Sequence, residues 1–244
     1  MSETQSYNDP VGEATLTVIS KADKFNRWMY ETIRPFLKGN ILEIGSGIGN
    51  ISKYPLAQQL PITLSDVNPS YQQILKTKFS SSSSLQGILS VDLVYPDFEN
   101  AYKHLESKFE SIFLLNVIEH VADEVTAIKN CRYLLKPGGH LILLAPAYQW
   151  LFCKLDKELG HYRRYSAKRM AALLRSQGFE IKHKQYFNVA GIPGWLVSGK
   201  ILGKKMLGSG EMNVFNSLVP LIRFVDKLFF KKAGLSIIVT GIKK

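Results

Sequence analysis

The chain has 244 residues, 45% hydrophobic side chains, a net charge of +11 and two cysteines, Cys131 and Cys153. This length predicts one principal domain with a sizeable core, and two cysteines exclude a disulfide-rich scaffold. The first thirty residues contain no basic segment followed by an apolar one, so we expect no signal peptide and a cytoplasmic protein. We predict no metal site from the sequence.

The positive charge is confined to the last third of the chain. Residues 1–160 carry 15 Lys and Arg against 17 Asp and Glu, whereas residues 161–244 carry 16 against 3. Clustered cations bind nucleic acid, phosphorylated small molecules and anionic membranes. They also occur on solvated protein faces that have no partner. Charge alone therefore leaves the class of partner open.

An N-terminal helical segment is expected over residues 1–40, and the first strand follows at Ile41–Ile44. This strand opens into a turn with glycines at alternate positions, Gly45, Gly47 and Gly49. Glycine allows positive φ and leaves no Cβ between the backbone and a ligand, so the turn predicts a nucleotide-cofactor site. Such turns also occur for geometric reasons, and the assignment depends on the following segments.

A second apolar segment, 62–65, ends at Asp66, seventeen residues after Gly49. This spacing is typical of a βαβ unit, in which an acid at the tip of the second strand accepts hydrogen bonds from both ribose hydroxyls of the cofactor. Asp66 is also a candidate helix N-cap, because Asn68 and Pro69 follow it. Both roles can hold together.

From here the chain resembles the class I S-adenosylmethionine-dependent methyltransferases, over about residues 25–187. Three segments are similar to family motifs in the same order: Ile88–Leu93, Ser111–Val121 and Leu134–Pro146. They correspond to the third strand, to the fourth strand with its x-x-L-E-H-V turn, and to a Pro-Gly-Gly turn with the fifth strand. The resemblance implies a Rossmann-like α/β fold: a seven-stranded, mostly parallel sheet with an antiparallel last strand and helices on both faces.

The resemblance also implies S-adenosylmethionine as the cofactor and places its binding residues. Glu43 stands where the family keeps an acid near the amino-acid end of the cofactor, and Asp92-Leu93 stands where the family recognises the adenine amino group. The full set of expected cofactor residues is Glu43, Gly45, Ser46, Gly47, Gly49, Asp66, Val67, Asp92, Leu93 and Asn116.

A nicotinamide-dependent dehydrogenase is the alternative for this core. Its glycine turn has a third glycine three residues after the second, where this chain has Asn50. A nicotinamide dinucleotide also has no ammonium group to match Glu43. Both observations favour the methyltransferase.

The loop at 156–165 is predicted to shape the acceptor site, because it follows the fifth strand at the carboxyl edge. It is similar to a D-x-x-x-G-H-x-R-R-Y pattern found in a subgroup of bacterial methyltransferases. Arginines bind phosphate or carboxylate in a forked geometry, so an anionic acceptor is expected. The alternative is a surface loop whose arginines pair with Asp156 and Glu158. The expected acceptor residues are Tyr162, Arg163, Arg164 and Tyr165.

Methyl transfer from a sulfonium depends mainly on alignment of the donor carbon with the acceptor atom, but an oxygen acceptor benefits from a base. His161 is the first candidate base, because it lies in the acceptor loop and imidazole titrates near neutral pH. His120, after the cofactor strand, is the second, with a structural role in the turn as its alternative.

The methyltransferase core is expected over 41–187 and 235–244, with 188–234 as an inserted amphipathic lid. The last two strands, 179–187 and 235–242, are separated by 47 residues, far more than a hairpin needs. A helix is predicted over Val214–Phe230, and its apolar face is expected to contain Leu218, Leu221, Ile222, Val225, Leu228 and Phe229.

Two interpretations of this insertion remain. Trp195 and clustered lysines favour peripheral contact with the inner face of the membrane, and a lid packed on its own domain is the alternative. The lysines are Lys200, Lys204, Lys205, Lys231 and Lys232.

We therefore predict a methyltransferase that acts on a small-molecule or lipid-linked, anionic acceptor, with O-methylation favoured. The alternatives are an RNA or other nucleic-acid methyltransferase and an inactive, membrane-attached cofactor-binding scaffold. The segment Asn68–Tyr71 resembles a base-methylation signature, but it follows the second strand instead of the fourth, so a nucleic-acid substrate is unlikely.

Overall fold

A computed structural model describes residues 10–204, 208–229 and 231–244. Its seven strands form one sheet in the order β3-β2-β1-β4-β5-β7-β6. β7 pairs antiparallel with β5 and β6, and the other pairs are parallel. The strands are β1 (Ile41–Ile44), β2 (Ile62–Ser65), β3 (Leu85–Leu89), β4 (Phe109–Leu115), β5 (Leu135–Pro146), β6 (Phe179–Phe187) and β7 (Ser236–Lys243). The predicted fold class is confirmed.

Ten α-helices occur in the described residues and cover both faces of the sheet. Neighbouring residues of β4 point to opposite faces: Ile112 belongs to one buried apolar cluster and Phe113 to the other. Strands buried on both faces read as continuous apolar runs, as here. The helices are α1 (Pro10–Ser20), α2 (Asp23–Ile33), α3 (Lys53–Ala57), α4 (Pro69–Phe79), α5 (Phe98–Ala101), α6 (Glu124–Leu134), α7 (Lys154–Glu158), α8 (Ala167–Ser176), α9 (Gly191–Trp195) and α10 (Ser209–Leu228).

The predicted third strand is displaced along the chain. The sequence suggested Ile88–Asp92, whereas β3 begins at Leu85, opposite Ile62 of β2, and ends at Leu89. Asp92 therefore lies in the connection after the strand. Helix α8 begins after Ser166, whose side chain accepts a hydrogen bond from the N–H of Arg169, and ends shortly before Gly178, which has a φ of +78°.

The inserted segment packs on the N-terminal helices. The ring of Phe215 in α10 lies 5.3 Å from that of Phe25 in α2. Asp226 is buried near the other end of α10, where its carboxylate accepts hydrogen bonds from the N–H groups of Asn188 (2.9 Å) and Val189 (2.6 Å). The helix therefore holds the start of its own insertion against the core.

Helix α10 is apolar on two sides, which corrects the single face predicted for it. Val219 and Ile222 are buried in the core. Leu221 lies on the solvent side instead of sharing the buried face with Ile222, and the exposed apolar stripe consists of Val214, Leu218, Leu221, Phe224 and Leu228. Among the described helices, none is long and apolar enough to cross a membrane. Lys205 and Phe230 lie outside the described residues.

An acid is buried in β1, an interior strand of the sheet. Glu43 in β1 is almost fully enclosed, and its Oε2 accepts a hydrogen bond of 2.5 Å from the Ser52 hydroxyl. Burial raises the pKa of Glu43 to about 8, the Ser52 bond opposes this shift and the nearby charge of Asp66 adds to it. The folded state therefore favours the protonated carboxyl group.

We expect Glu43→Gln to change how stability depends on pH. The pKa of Glu43 is higher in the folded than in the unfolded chain, so the native state binds the extra proton and its advantage is lost as pH rises from about 4.5 to about 8. Relative to the variant, the wild-type chain should lose up to a few kcal/mol of unfolding free energy across this window and nothing further above it, since each pKa unit is worth about 1.4 kcal/mol.

Urea unfolding of both proteins at pH 5, 7 and 9 measures this difference. Glu99→Gln is the matched control, because Glu99 is exposed and lies outside the sheet. A constant gap between the wild-type and Glu43→Gln proteins across the pH range would show that Glu43 is ionised in the folded state.

Candidate functional site

The expected cofactor residues gather along one edge of the sheet. Glu43 lies within β1, and the others follow the carboxyl ends of four adjacent strands, β3, β2, β1 and β4. The chain order reverses beside β1, which is the position where open α/β sheets bind ligands. An elongated nucleotide cofactor lying across these strand ends would meet the residues in the order Asp92, Asp66, the glycine turn and Asn116.

The glycine turn needs its glycines for packing as well as for backbone conformation. Gly45, Gly47 and Gly49 have φ values of +72°, +51° and +83°. A Cβ on Gly45 would lie 2.3 Å from Val117, and one on Gly49 would lie 2.4 Å from the Phe79 ring. The turn is thus clamped between α4 and the segment after β4.

Asp66 connects the tip of β2 to this turn. It is buried, its Oδ2 accepts a hydrogen bond of 2.8 Å from the N–H of Gly47, and its Oδ1 accepts one of 2.9 Å from Asn68. The cap of α4 is Asn68, whose side chain accepts from the N–H of Ser70, so the N-cap interpretation of Asp66 is wrong. A carboxylate offers about four lone-pair sites, and these two bonds leave it able to meet ribose hydroxyls.

The remaining cofactor candidates lie at the same edge, and their contacts with the cofactor stay predictions. Asp92 accepts a hydrogen bond of 3.0 Å from the N–H of Val94. Leu93 is buried, whereas Val67 is partly exposed. Asn116 is exposed directly after β4, with a φ of +55°. Ser46 ties the turn to β2, because its N–H donates to the carbonyl of Ser65 at 2.9 Å.

The N-terminal helix α1 covers the outer side of the glycine turn. A Cβ on Gly47 would lie 3.0 Å from Leu16, and the Asn50 side chain donates a hydrogen bond of 2.9 Å to the carbonyl of Leu16. Sequence reasoning did not place α1 here, because a short helix with scattered apolar residues does not reveal which surface it covers.

In the acceptor loop, Arg164 is buried and fully engaged. It is 2% exposed, its Nε donates to Asp156 at 2.8 Å, and its guanidinium lies 4.4 Å from the centre of the Trp195 ring. Burial works against ionisation of Asp156, yet the hydrogen bond from His161 and the charge of Arg164 lower its pKa overall. For Arg164 the structure shows the pairing with Asp156 that the alternative interpretation predicted.

The other three predicted acceptor residues differ in exposure. Arg163 pairs with Glu124 at 3.1 Å, and the buried Tyr165 hydroxyl donates to the same carboxylate at 2.5 Å. Tyr162 is 58% exposed. Sequence reasoning missed Glu124, because an acid in the first turn of a helix is common and carries no specific signal.

The two candidate bases come together although they belong to different motifs. The rings of His120 and His161 are nearly perpendicular, with centroids 4.6 Å apart. His161 Nδ1 lies 2.9 Å from Asp156 Oδ1, which holds that side of the ring. Partial burial and the neighbouring His161 lower the pKa of His120, whose ring retains an exposed edge. The structure thus joins the turn after β4 to the acceptor loop.

Glu119 lies beneath this histidine pair and was not predicted as a site residue. It is fully buried, and neither carboxylate oxygen accepts a hydrogen bond from another residue of the described chain. Burial raises the pKa of Glu119 to about 8, and the charge of Arg164 opposes that shift. The signal was its place before His120 in the x-x-L-E-H-V turn, which indicates a position but no role.

Comparison with known proteins agrees with this architecture. A family model described as a methyltransferase domain matches residues 21–184. A ubiquinone biosynthesis O-methyltransferase of Xanthomonas euvesicatoria is 26% identical over 170 residues, which cover 64% of this chain and 69% of that protein.

Two solved structures share the fold. A SAM-dependent methyltransferase from Archaeoglobus fulgidus superposes with a TM-score of 0.56 at 14% identity, covering 89% of this chain and 94% of that one. Phosphoethanolamine N-methyltransferase 2 of Haemonchus contortus, in complex with S-adenosyl-L-methionine, gives a TM-score of 0.57 at 14% identity, covering 92% and 56%. With the glycine turn, the strand-end acids and the matched domain taken together, this chain belongs to the class I S-adenosylmethionine-dependent methyltransferases.

Proposed function

We propose that this methyltransferase transfers the methyl group to a hydroxyl oxygen of a small-molecule or lipid-linked acceptor. The observation that carries the proposal is the meeting of His120 and His161 at the carboxyl edge, beside the turn whose Val117 packs on Gly45. The acceptor side and the cofactor turn are thereby adjacent. The name of the Xanthomonas relative supports O-methylation.

The transfer is an in-line displacement. S-adenosylmethionine held by the glycine turn and Asp66 would supply a methyl group on a sulfonium, so that the acceptor oxygen would form the new bond to this carbon as the carbon–sulfur bond breaks and a neutral thioether leaves. The hydroxyl proton goes to His161, whose Nδ1 is held by Asp156 so that Nε2 is available. His120 has the second position beside the same acceptor.

An anionic acceptor would require one arginine pair to open. Arg163 is the candidate, because its partner Glu124 also binds Arg169 at 2.8 Å and the hydroxyl of Tyr165. Glu124 would therefore remain neutralised when Arg163 turns towards an acceptor. Arg164 has no such freedom, since it is buried against Asp156 and Trp195.

The acceptor class can be measured directly. Purified protein is incubated with methyl-labelled S-adenosylmethionine and fractionated cell extract, and label is followed into small molecules, lipid, RNA and protein. Label in the small-molecule or lipid fraction supports the proposal. Label in RNA would favour the nucleic-acid alternative, and cofactor binding without transfer to any fraction would favour the inactive scaffold.

We also propose that the insertion brings the enzyme to an anionic membrane surface. Lysines flank the exposed stripe of α10 along the chain: Lys200 and Lys204 precede the helix, Lys227 lies in its last turn and Lys231 follows it. An apolar helix face flanked by lysines is typical of helices that lie in the interface of a bilayer. The alternative, a lid that only covers the pocket, also fits the hydrogen bond of 3.2 Å from the Trp195 ring to the carbonyl of Leu151, which precedes the acceptor loop.

We expect Asp66→Ala to weaken S-adenosylmethionine binding by about 1 to 3 kcal/mol, because a charged hydrogen-bond acceptor at the ribose is lost. Isothermal calorimetry measures the affinity. The control is Asp97→Ala, which removes an exposed acid away from the strand tips. Unchanged affinity in the Asp66 variant would mean that the ribose binds elsewhere on the edge.

For the membrane proposal, we expect the double substitution Leu221→Gln and Phe224→Gln to reduce sedimentation with anionic liposomes while leaving stability within about 0.5 kcal/mol, because both side chains are exposed. Added salt should weaken wild-type binding, since lysine attraction to the surface is screened. Point variants test this proposal better than deletion of residues 188–234 would, because the deletion would also remove the buried Val219, Ile222 and Asp226.

Val125→Gln serves as the matched control for that experiment, because Val125 is a similarly exposed apolar residue outside the insertion. Equal sedimentation of wild-type, double-variant and control proteins would refute the membrane role of α10. The same conclusion would follow if the wild-type protein ignored liposomes of every charge.

A further inference from the structure

Three side chains of the kinds that bind metal ions lie together where the turn after β4 meets the acceptor loop. The carboxylate of Glu119 and one ring nitrogen each of His120 and His161 lie within 4.8 Å of one another. We propose that these three side chains bind one divalent transition-metal ion on the acceptor side of the cofactor edge. The sequence did not suggest it, because the third ligand comes from a distant loop.

The buried carboxylate is the first reason. Both oxygens of Glu119 are enclosed, and no other described residue donates a hydrogen bond to them. A buried carboxyl group normally finds a hydrogen-bond donor, a counter-ion or a metal, because an unpaired one is costly to remove from water. Its oxygens lie beside the two imidazoles, so an ion between the three groups would satisfy them.

The support around the histidines is the second reason. His161 Nδ1 is held by Asp156, so its Nε2 is the nitrogen that can bind an ion. Asp156 is itself held by Arg164 at 2.8 Å and by the N–H of Cys153 at 2.9 Å. The ring of His120, the second histidine, interacts with the backbone carbonyl of Leu159. Metal-binding histidines usually have such a carboxylate or carbonyl at the second nitrogen.

The distances allow coordination after a small closure. Metal bonds of about 2.1 Å place neighbouring ligand atoms about 3 to 4 Å apart, and the three ligand atoms of this structure lie no more than 4.8 Å from one another. His120 can provide the movement, because its ring has an exposed edge. The remaining coordination positions would face that open side.

The donor set selects the kind of ion. Two imidazoles and one carboxylate suit Zn²⁺, Fe²⁺ or Co²⁺, whereas Mg²⁺ and Ca²⁺ prefer oxygen ligands alone. Three protein ligands with an open position are also typical of catalytic sites and not of closed structural ones.

The consequence for chemistry rests on the proposed function, although the existence of the site does not. An acceptor hydroxyl bound at an open position would release its proton to solvent more readily, and the oxygen would then attack the methyl carbon as the carbon–sulfur bond breaks. A metal ion would occupy His161 Nε2, so His161 would act as the base only in the metal-free protein, and in the metal-loaded protein the proton would go to solvent.

The test uses untagged full-length protein stripped with a chelator and then titrated with Co²⁺, whose visible absorption reports nitrogen and oxygen coordination. We expect one ion per chain, displaced by Zn²⁺. His161→Asn and Glu119→Gln should each weaken Co²⁺ binding at least about 100-fold, since even loss of an outer partner costs about 10- to 100-fold. His104→Asn, which alters an exposed histidine elsewhere, should leave it unchanged.

Thermal unfolding and S-adenosylmethionine binding of each variant show whether the fold is kept. Glu119→Gln keeps the size and shape of the side chain, so it decides the matter if His161→Asn does not fold. The proposal is overturned if the wild-type chain shows no stoichiometric Co²⁺ spectrum, or if Glu119→Gln binds Co²⁺ as tightly as the wild-type chain.

Methyl transfer is assayed separately in the stripped and metal-loaded proteins. Co²⁺ binding that depends on Glu119 and His161, without methyl transfer in either form of the protein, would support the metal site and contradict the proposed function. Equal transfer in both forms would support the proposed function and overturn the role of the ion in acceptor activation.

Discussion

The acceptor side of the molecule depends on one buried carboxylate, Asp156. It receives hydrogen bonds from Arg164, from His161 and from the N–H of Cys153, and so connects three parts of one loop. A buried charge is tolerated only when its partners are in place, and removal of one partner leaves the other uncompensated. This constraint explains why an arginine with the appearance of a substrate ligand is enclosed: its guanidinium neutralises the acid that orients His161.

The turn after β4 joins this acceptor region to the cofactor edge. Val117 packs where a side chain on Gly45 would otherwise stand, and the carbonyl of Glu119 accepts a hydrogen bond of 2.8 Å from the N–H of Tyr162. Asn116 begins the turn with positive φ, a conformation that non-glycine residues adopt at a cost and that is common at functional sites. The turn after β4 therefore contacts both the glycine turn and the loop that contains Tyr162.

Helix α10 of the insertion has one side in the core and one side in solvent. Its inner side completes the apolar cluster that contains Trp28, Phe187, Val219 and Ile222, and its outer side leaves large apolar residues in solvent. Core packing alone does not require an exposed apolar stripe on a helix that is otherwise well anchored, and the membrane proposal rests on this stripe. The hydrogen bonds of Asp226 fix the end of this helix against Asn188 and Val189 at the start of the insertion.

The sequence by itself determined the first strand, the glycine turn and the acid at the tip of β2, because apolar strand patterning and glycine spacing are local signals, and the order of the other strands followed from the family resemblance. Tertiary structure alone decided which side of α10 is buried, where α1 lies, that Arg164 pairs inwards and that Glu119 meets His161. Those outcomes depend on contacts between segments far apart in the chain, and on whether burial leaves a polar group with a partner. No local pattern carries that information, since the same arginine or glutamate is equally compatible with an exposed loop until the surrounding side chains exclude water from it.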